Sequence, residues 1–380
     1  MKKIALALSF TAALAFAQAQ DGNNICTWNA MNTYNTGGGA EDLERGIKCT
    51  DEAAVNPSTA EKSKTWFYRG ELYTLVFIDK TLKPKYGNAS AEAIKAFKKL
   101  YELNDPKFKD WEDVYKYLLP LATNTFNEAV DQYQQKNYAQ AYQYFYAIKD
   151  INKVLEGKGQ KANIDLAVSL KNAAICAENS GNADGAIAVY KDWLAISPDA
   201  AAYRNLGAAY KKQGRLDESK KTIDEGLTKY PKDANLLVEK INFYLEGAQY
   251  TEALTYVNNL LDVEPKNDGA LFIKGLAYEK IGNEDSVVYY YTKSAEINPK
   301  NIKPWNNLGA MYVAKANALV EPMNKLGNTS ADIKKYDELK KQRKDFYLKA
   351  KPFLDKAHAI DPDDSQINRV LKQVELYTAE

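Results

Sequence analysis

Four tyrosines, Tyr210, Tyr244, Tyr278 and Tyr312, return at a spacing of 34 residues. Seven positions before each stand Tyr203, Leu237, Leu271 and Trp305, and Gly207, Gly275 and Gly309 mark a third place in the same register. Pro198, Pro231, Pro265 and Pro299 punctuate the series at intervals of 33, 34 and 34. Within YRNLGAAY, Tyr203, Leu206, Gly207 and Tyr210 fall at i, i+3, i+4 and i+7, which is one stripe of an α-helix. A glycine inside that stripe costs about 1 kcal/mol against alanine, and close approach of a neighbouring helix offsets it. Gly214 breaks the helix, residues 217–226 begin a second whose Ser219 and Ile223 face back on the first, and Pro231 ends the pair. One such hairpin cannot bury both of its apolar faces, so each unit needs the next.

These residues resemble the tetratricopeptide repeat family, with its W/Y-x2-L-G-x2-Y start followed by small, aromatic, small and proline landmarks. Residues 200–233, 268–301 and the stretch from 302 onward carry the pattern best; 167–199 and 234–267 carry it less fully, with Ala174 and Ile241 in place of the glycine. Further upstream, Trp66, Gly70 and Tyr73 take the same relative places, Ala93, Phe97 and Leu100 supply a facing helix, and Ala141, Phe145 and Ile148 mark another unit, for about seven in all. The resemblance implies an all-α fold, a right-handed superhelical solenoid of stacked helical hairpins. The expected division is a leader over 1–19, irregular repeats over 20–155, a break at 156–163 (EGKGQKAN), regular repeats over 164–364 and a capping helix over 365–380. An insertion over 313–349 is expected to lengthen both helices of its hairpin. Residues 332–351, in and just past it, hold eight basic and four acidic side chains, read as a solvated helical face with a basic recognition arm as the alternative.

The first residues, MKKIALALSFTAALAFAQAQ, read as an export signal: two lysines, an apolar run and a small-residue cleavage site at Ala17-Gln18-Ala19. The run is too short to span a bilayer, no later segment is long and apolar enough, and no cysteine follows the cleavage site for lipidation. The expected location is therefore the periplasm of a bacterial envelope. With Lys2 and Lys3 removed, 51 basic side chains become 49 against 50 acidic ones, which argues against bulk attraction to nucleic acid or an anionic membrane. Export would allow Cys26 and Cys49 to pair as a disulfide, while Cys176, among small residues, reads as core.

Catalytic parts are scarce. His358 is the only histidine, the three cysteines form no CxxC, and there is no Walker-type loop. DPDD at 361–364 lacks the later glycine and glutamate of a calcium loop. The expectation is a chain that is not an enzyme, with no cofactor and no metal. What the family resemblance implies instead is a partner-binding groove along the first helices, and its usual positions map onto Lys171, Asn172, Arg204, Asn205, Lys211, Asn235, Asn242, Asn306 and Asn307. Ile175 and Ala208 stand where a terminal-carboxylate clamp would want polar side chains. The expected role is a scaffold or adaptor that binds a partner protein or extended peptide, within a secretion or envelope assembly complex. The alternative rests on 27 tyrosines: Phe145 and Tyr291 fit core places, Tyr144 and Tyr290 are expected nearer the surface, and exposed rings of that kind suit sugar stacking, as in SusD-like glycan-binding proteins of the envelope.

Overall fold

A computed structural model describes residues 22–379, and within them every regular element is a helix. The leader expected over 1–19 lies outside the described residues. Contacts divide the chain into two units between Gly214 and Arg215. The first contains α1 (22–35), α2 (Ala40–Val55), α3 (Ser63–Ile78), α4 (Ala89–Leu103), α5 (Trp111–Gln134), α6 (Tyr138–Gly157), α7 (Leu166–Asn179), α8 (Ala183–Ile196) and α9 (Ala200–Lys212). The second contains α10 (Leu216–Lys229), α11 (Ala234–Glu246), α12 (Tyr250–Val263), α13 (Asp268–Ile281), α14 (Glu284–Ile297), α15 (Lys303–Ala318), the short α16 (Val320–Asn324), α17 (Ser330–Ile360) and α18 (Ser365–Ala379). In each unit successive helices pack on one another, so each is a run of stacked hairpins.

Three local devices set the register. The first is a cap: Asp165, Asp199, Asp233 and Asn267, each 34 residues from the last, accept backbone N–H groups at the starts of α7, α9, α11 and α13, at 2.7–3.3 Å. Each satisfies orphan donors at a helix start and is worth about 1 kcal/mol. The second is a left-handed residue between the two helices of a hairpin, Gly181 (φ 75°), Ala248 (φ 53°) and Gly282 (φ 87°); Gly214 (φ 73°), which follows α9, has the same conformation. The third is a missing side chain: Gly70, Gly275 and Gly309 leave room for Phe97, Tyr291 and Leu354.

Residues 156–157, at the start of the expected break, still belong to α6, residues 158–165 connect it to α7, and those two helices pack directly on each other with side chains from both in one core. In the insertion, α15 ends at Ala318 while α17 runs for 31 residues. The added length therefore falls on the second helix of the hairpin, where two long helices were expected. Thr329 starts α17 with a reciprocal cap: Asp332 N donates to its Oγ1 at 3.2 Å. α18 buries Ile367, Leu371 and Val374 in the same core as α15 and α17. Cys26 of α1 and Cys49 of α2 form a disulfide with their Cα atoms 6.0 Å apart. Cys176 is fully buried, and burial pushes its thiol up to about 11, which keeps it an unreactive core residue.

Candidate functional site

α7 buries Leu170, Ala173, Ala174 and Ala177 along one stripe. Its opposite stripe, set by the same helical spacing, holds Val168, Lys171, Asn172 and Ile175. Val168 and Ile175 are 45% and 43% exposed, so two large apolar side chains face solvent on either side of Lys171. The Lys171 ammonium lies 4.6 Å from the centre of the Trp193 ring of α8 and 3.7 Å from the carboxylate of Asp199, the residue that caps α9. This contact brings the exposed stripe of α7 up to the start of α9.

α9 repeats the arrangement. Tyr203, Leu206, Gly207 and Tyr210 are buried, and Arg204, Asn205, Ala208 and Lys211 occupy the other stripe. The Arg204 guanidinium donates to Asn205 Oδ1 at 3.2 Å and lies beside Tyr190, whose hydroxyl donates to Glu178 at 2.7 Å. Burial first, and then that hydrogen bond to a carboxylate, push the Tyr190 phenol above its ordinary range, so it is neutral and serves as a fixed donor. The first unit therefore gathers Lys171, Asn172, Arg204, Asn205 and Lys211 on two helix faces, together with Val168, which the reading of the sequence passed over. Its signal was present: Val168 stands three before Lys171 and seven before Ile175.

In the second unit the expected residues are more scattered. Asn235 is exposed at the start of α11, and Asn242 and Asn306 are half-buried. Asn307 donates to the Tyr291 hydroxyl at 3.3 Å, and that hydroxyl donates to Glu279 at 2.8 Å, so the Asn307 amide supports the core. Two lysines matter here that the sequence reading missed. Lys240 and Lys274 stand 34 apart at the place that Leu206 and Leu308 fill in other repeats. Lys240 is 2% exposed, pairs with Asp224 and lies 5.2 Å from the centre of the Tyr244 ring and 5.7 Å from that of Tyr256. Lys274 lies 4.3 Å from the centre of Tyr290, which stacks on Tyr278 at 5.5 Å.

Tyr290, expected nearer the surface, is half-buried between Lys274 and Tyr278, whereas Tyr291 is fully buried; only the expectation for Tyr144 is corrected. Tyr144 is buried and stacks on Phe77 at 6.3 Å. Tyr289 is the exposed member of its run, at 56%. A separate cavity of about 950 Å³ opens in the first unit, where Trp28, 48% exposed, stands with Tyr68, Lys64, Lys107 and Asp110. Among the described residues no three metal-ligating side chains gather, and no helix is long and apolar enough to cross a membrane.

Residues 179–241 and 269–301 each match the tetratricopeptide repeat family. A TPR repeat-containing protein of Methanocaldococcus jannaschii is 28% identical over 152 residues, which are 37% of this chain and 26% of that protein; the match spans about a quarter of that relative's length. Among solved structures, MamA from Desulfovibrio magneticus RS-1 is 21% identical, covering 49% of this chain and 98% of its own, with a TM-score of 0.36. YrrB, described as a TPR protein with an unusual peptide-binding site, is 20% identical over 54% of this chain and 92% of its own, with a TM-score of 0.39.

Proposed function

Since the chain carries tetratricopeptide repeats, we propose that it is a non-catalytic scaffold that holds an extended segment of a partner protein against α7 and α9, within a secretion or assembly complex of a bacterial envelope. One observation carries the reading: Val168 and Ile175 stand exposed in line with Lys171, beside a helix that presents Arg204 and Lys211. Burying a fully exposed valine or isoleucine side chain contributes about 1.5–3 kcal/mol, and these two, a little under half exposed, would contribute roughly half of that each, so the stripe is an apolar anchor and the cations beside it suit carboxylates on the same segment. A partner with alternating apolar and acidic side chains fits both. The leader-like first 19 residues and the Cys26–Cys49 disulfide support an exported setting.

The test is capture from envelope extract by the immobilised chain, followed by identification of what is held. Arg204→Glu combined with Lys211→Glu, and separately Val168→Ser combined with Ile175→Ser, should release the captured partner while circular dichroism shows intact helices. Undiminished capture by both variants would remove the α7 and α9 faces from the proposal.

A second reading is favoured by one feature, the exposed Trp28 indole beside the polar groups of its cavity. That pairing of a flat ring with hydrogen-bonding groups suits a sugar. Saturable binding on a polysaccharide array that is lost in Trp28→Ala would support it; an array without signal would end it.

A further inference from the structure

A cavity of about 430 Å³ lies where α17 meets α16 and α18, within the size range of small-molecule sites, roughly 300–1,000 Å³. Met323 comes from α16, Tyr377 from α18, and Tyr336, Lys341, Arg343 and Lys344 from α17. Lys340 adds a fourth cation to the lining, against a single carboxylate, Asp337. In a chain whose charges nearly balance, this is a local concentration of positive charge.

Arg343 is held on an aromatic stack. Its guanidinium carbon lies 4.0 Å from the centre of the Tyr377 ring and 5.6 Å from that of Tyr347, and the two rings stack 5.3 Å apart at 7°. The stack is fixed from three helices. The fully buried Tyr347 donates to Asn317 Oδ1 of α15 at 2.7 Å, and Gln373 Nε2 of α18 donates to the Tyr347 hydroxyl at 3.1 Å. The Nε of Arg343 is buried without a hydrogen-bond partner among the described residues, and the guanidinium is further tied to the Tyr347 and Tyr377 hydroxyls. A planar guanidinium fixed in this way offers its remaining N–H groups to the oxygens of a carboxylate or phosphate.

We propose that this cavity binds a small, multiply charged oxyanion, a phosphate ester or a di- or tricarboxylate, whose oxygens accept from Arg343 while Lys341 and Lys344 balance the remaining charge. The aromatic stack holds the guanidinium in one orientation before the ligand arrives, so little side-chain freedom is lost on binding. The site is built by the insertion together with α18, and its occupancy does not depend on the α7 and α9 faces.

The experiment is isothermal titration of the full chain with inorganic phosphate and, separately, with citrate, in a chloride buffer of low ionic strength. One saturable site per chain is expected, with affinity about tenfold or more lower in Arg343→Gln. Arg343→Lys should recover part of it, because charge returns without the planar fork. Citrate binding more tightly would identify a carboxylate ligand, and phosphate binding more tightly a phosphate ester. Should Arg343→Gln fail to fold, Lys341→Glu combined with Lys344→Glu, of which Lys341 is exposed, makes the same comparison. No saturable heat with either anion, or equal affinity in wild type and variants, would overturn the proposal.

Discussion

A Cβ placed on Gly275 would lie 2.6 Å from Cδ1 of Tyr291, so α13 and α14 approach as closely as they do only because residue 275 has no side chain. Tyr291 cannot retreat, since its ring is fully buried and its hydroxyl is tied to Glu279 and Asn307. Gly275→Ala gains about 1 kcal/mol of helix propensity and loses about 1–3 kcal/mol to overpacking. We expect a net loss near 1 kcal/mol by urea denaturation. A variant as stable as the wild type would mean that the ring shifts freely.

Ala248 stands in the left-handed region, φ 53°, at a place that Gly181 and Gly282 fill in other hairpins. That conformation costs a non-glycine residue about 1–2 kcal/mol, against about 0.5–1 kcal/mol for the extra freedom a glycine loses on folding. Ala248→Gly should therefore raise the melting temperature slightly. A lower one would show that the alanine methyl contributes packing that outweighs the strain.

Glu71 of α3 has its carboxyl pushed above the usual glutamate range, chiefly by burial and further by Asp113, with a hydrogen bond from Tyr117 opposing. The folded chain therefore holds this proton more tightly than the unfolded one. Its contribution to stability is fullest below the unfolded pKa and is lost as pH rises through the folded pKa. Glu71→Gln should match the wild type at low pH and become relatively more stable as pH passes the ordinary glutamate range. Denaturation measured across pH checks this, and a difference independent of pH would contradict it.

The Cys26–Cys49 disulfide joins α1 to α2 across a sequence separation of 23. In the chain-entropy account it contributes on the order of 3 kcal/mol. Reduction, or Cys26→Ser with Cys49→Ser, should lower the melting of the first unit and leave Cys176, buried in that unit's core, unlabelled by thiol reagents in the native state. Rapid native labelling of Cys176 would show that its core opens.

The repeats were legible because each is a local device of few residues. The tyrosine register, the glycine at 275 and the break at Gly214 are each set by a few neighbouring residues, and spacing along the chain reports them directly. The capping series Asp165, Asp199, Asp233 and Asn267 was equally visible and would have fixed the helix starts without the prolines. Tyr290 lies nearer the surface than Tyr291, as its place in the run suggests, whereas Tyr144 is buried because its ring stacks on Phe77 of α3, a contact between distant helices that spacing along the chain does not report. The Arg343 cavity could not be read at all, since it joins Met323 to Tyr377 through an insertion that follows no repeat.

The central claim is that the exposed stripes of α7 and α9 hold the partner, and site-directed photocrosslinking tests it most directly. A photoreactive residue at Ala208 on α9 or Ile175 on α7 should form a covalent adduct with the captured partner, while one at Ile196, exposed at the end of α8, should form none. Adducts from Ile196 in place of Ala208 and Ile175 would contradict the account.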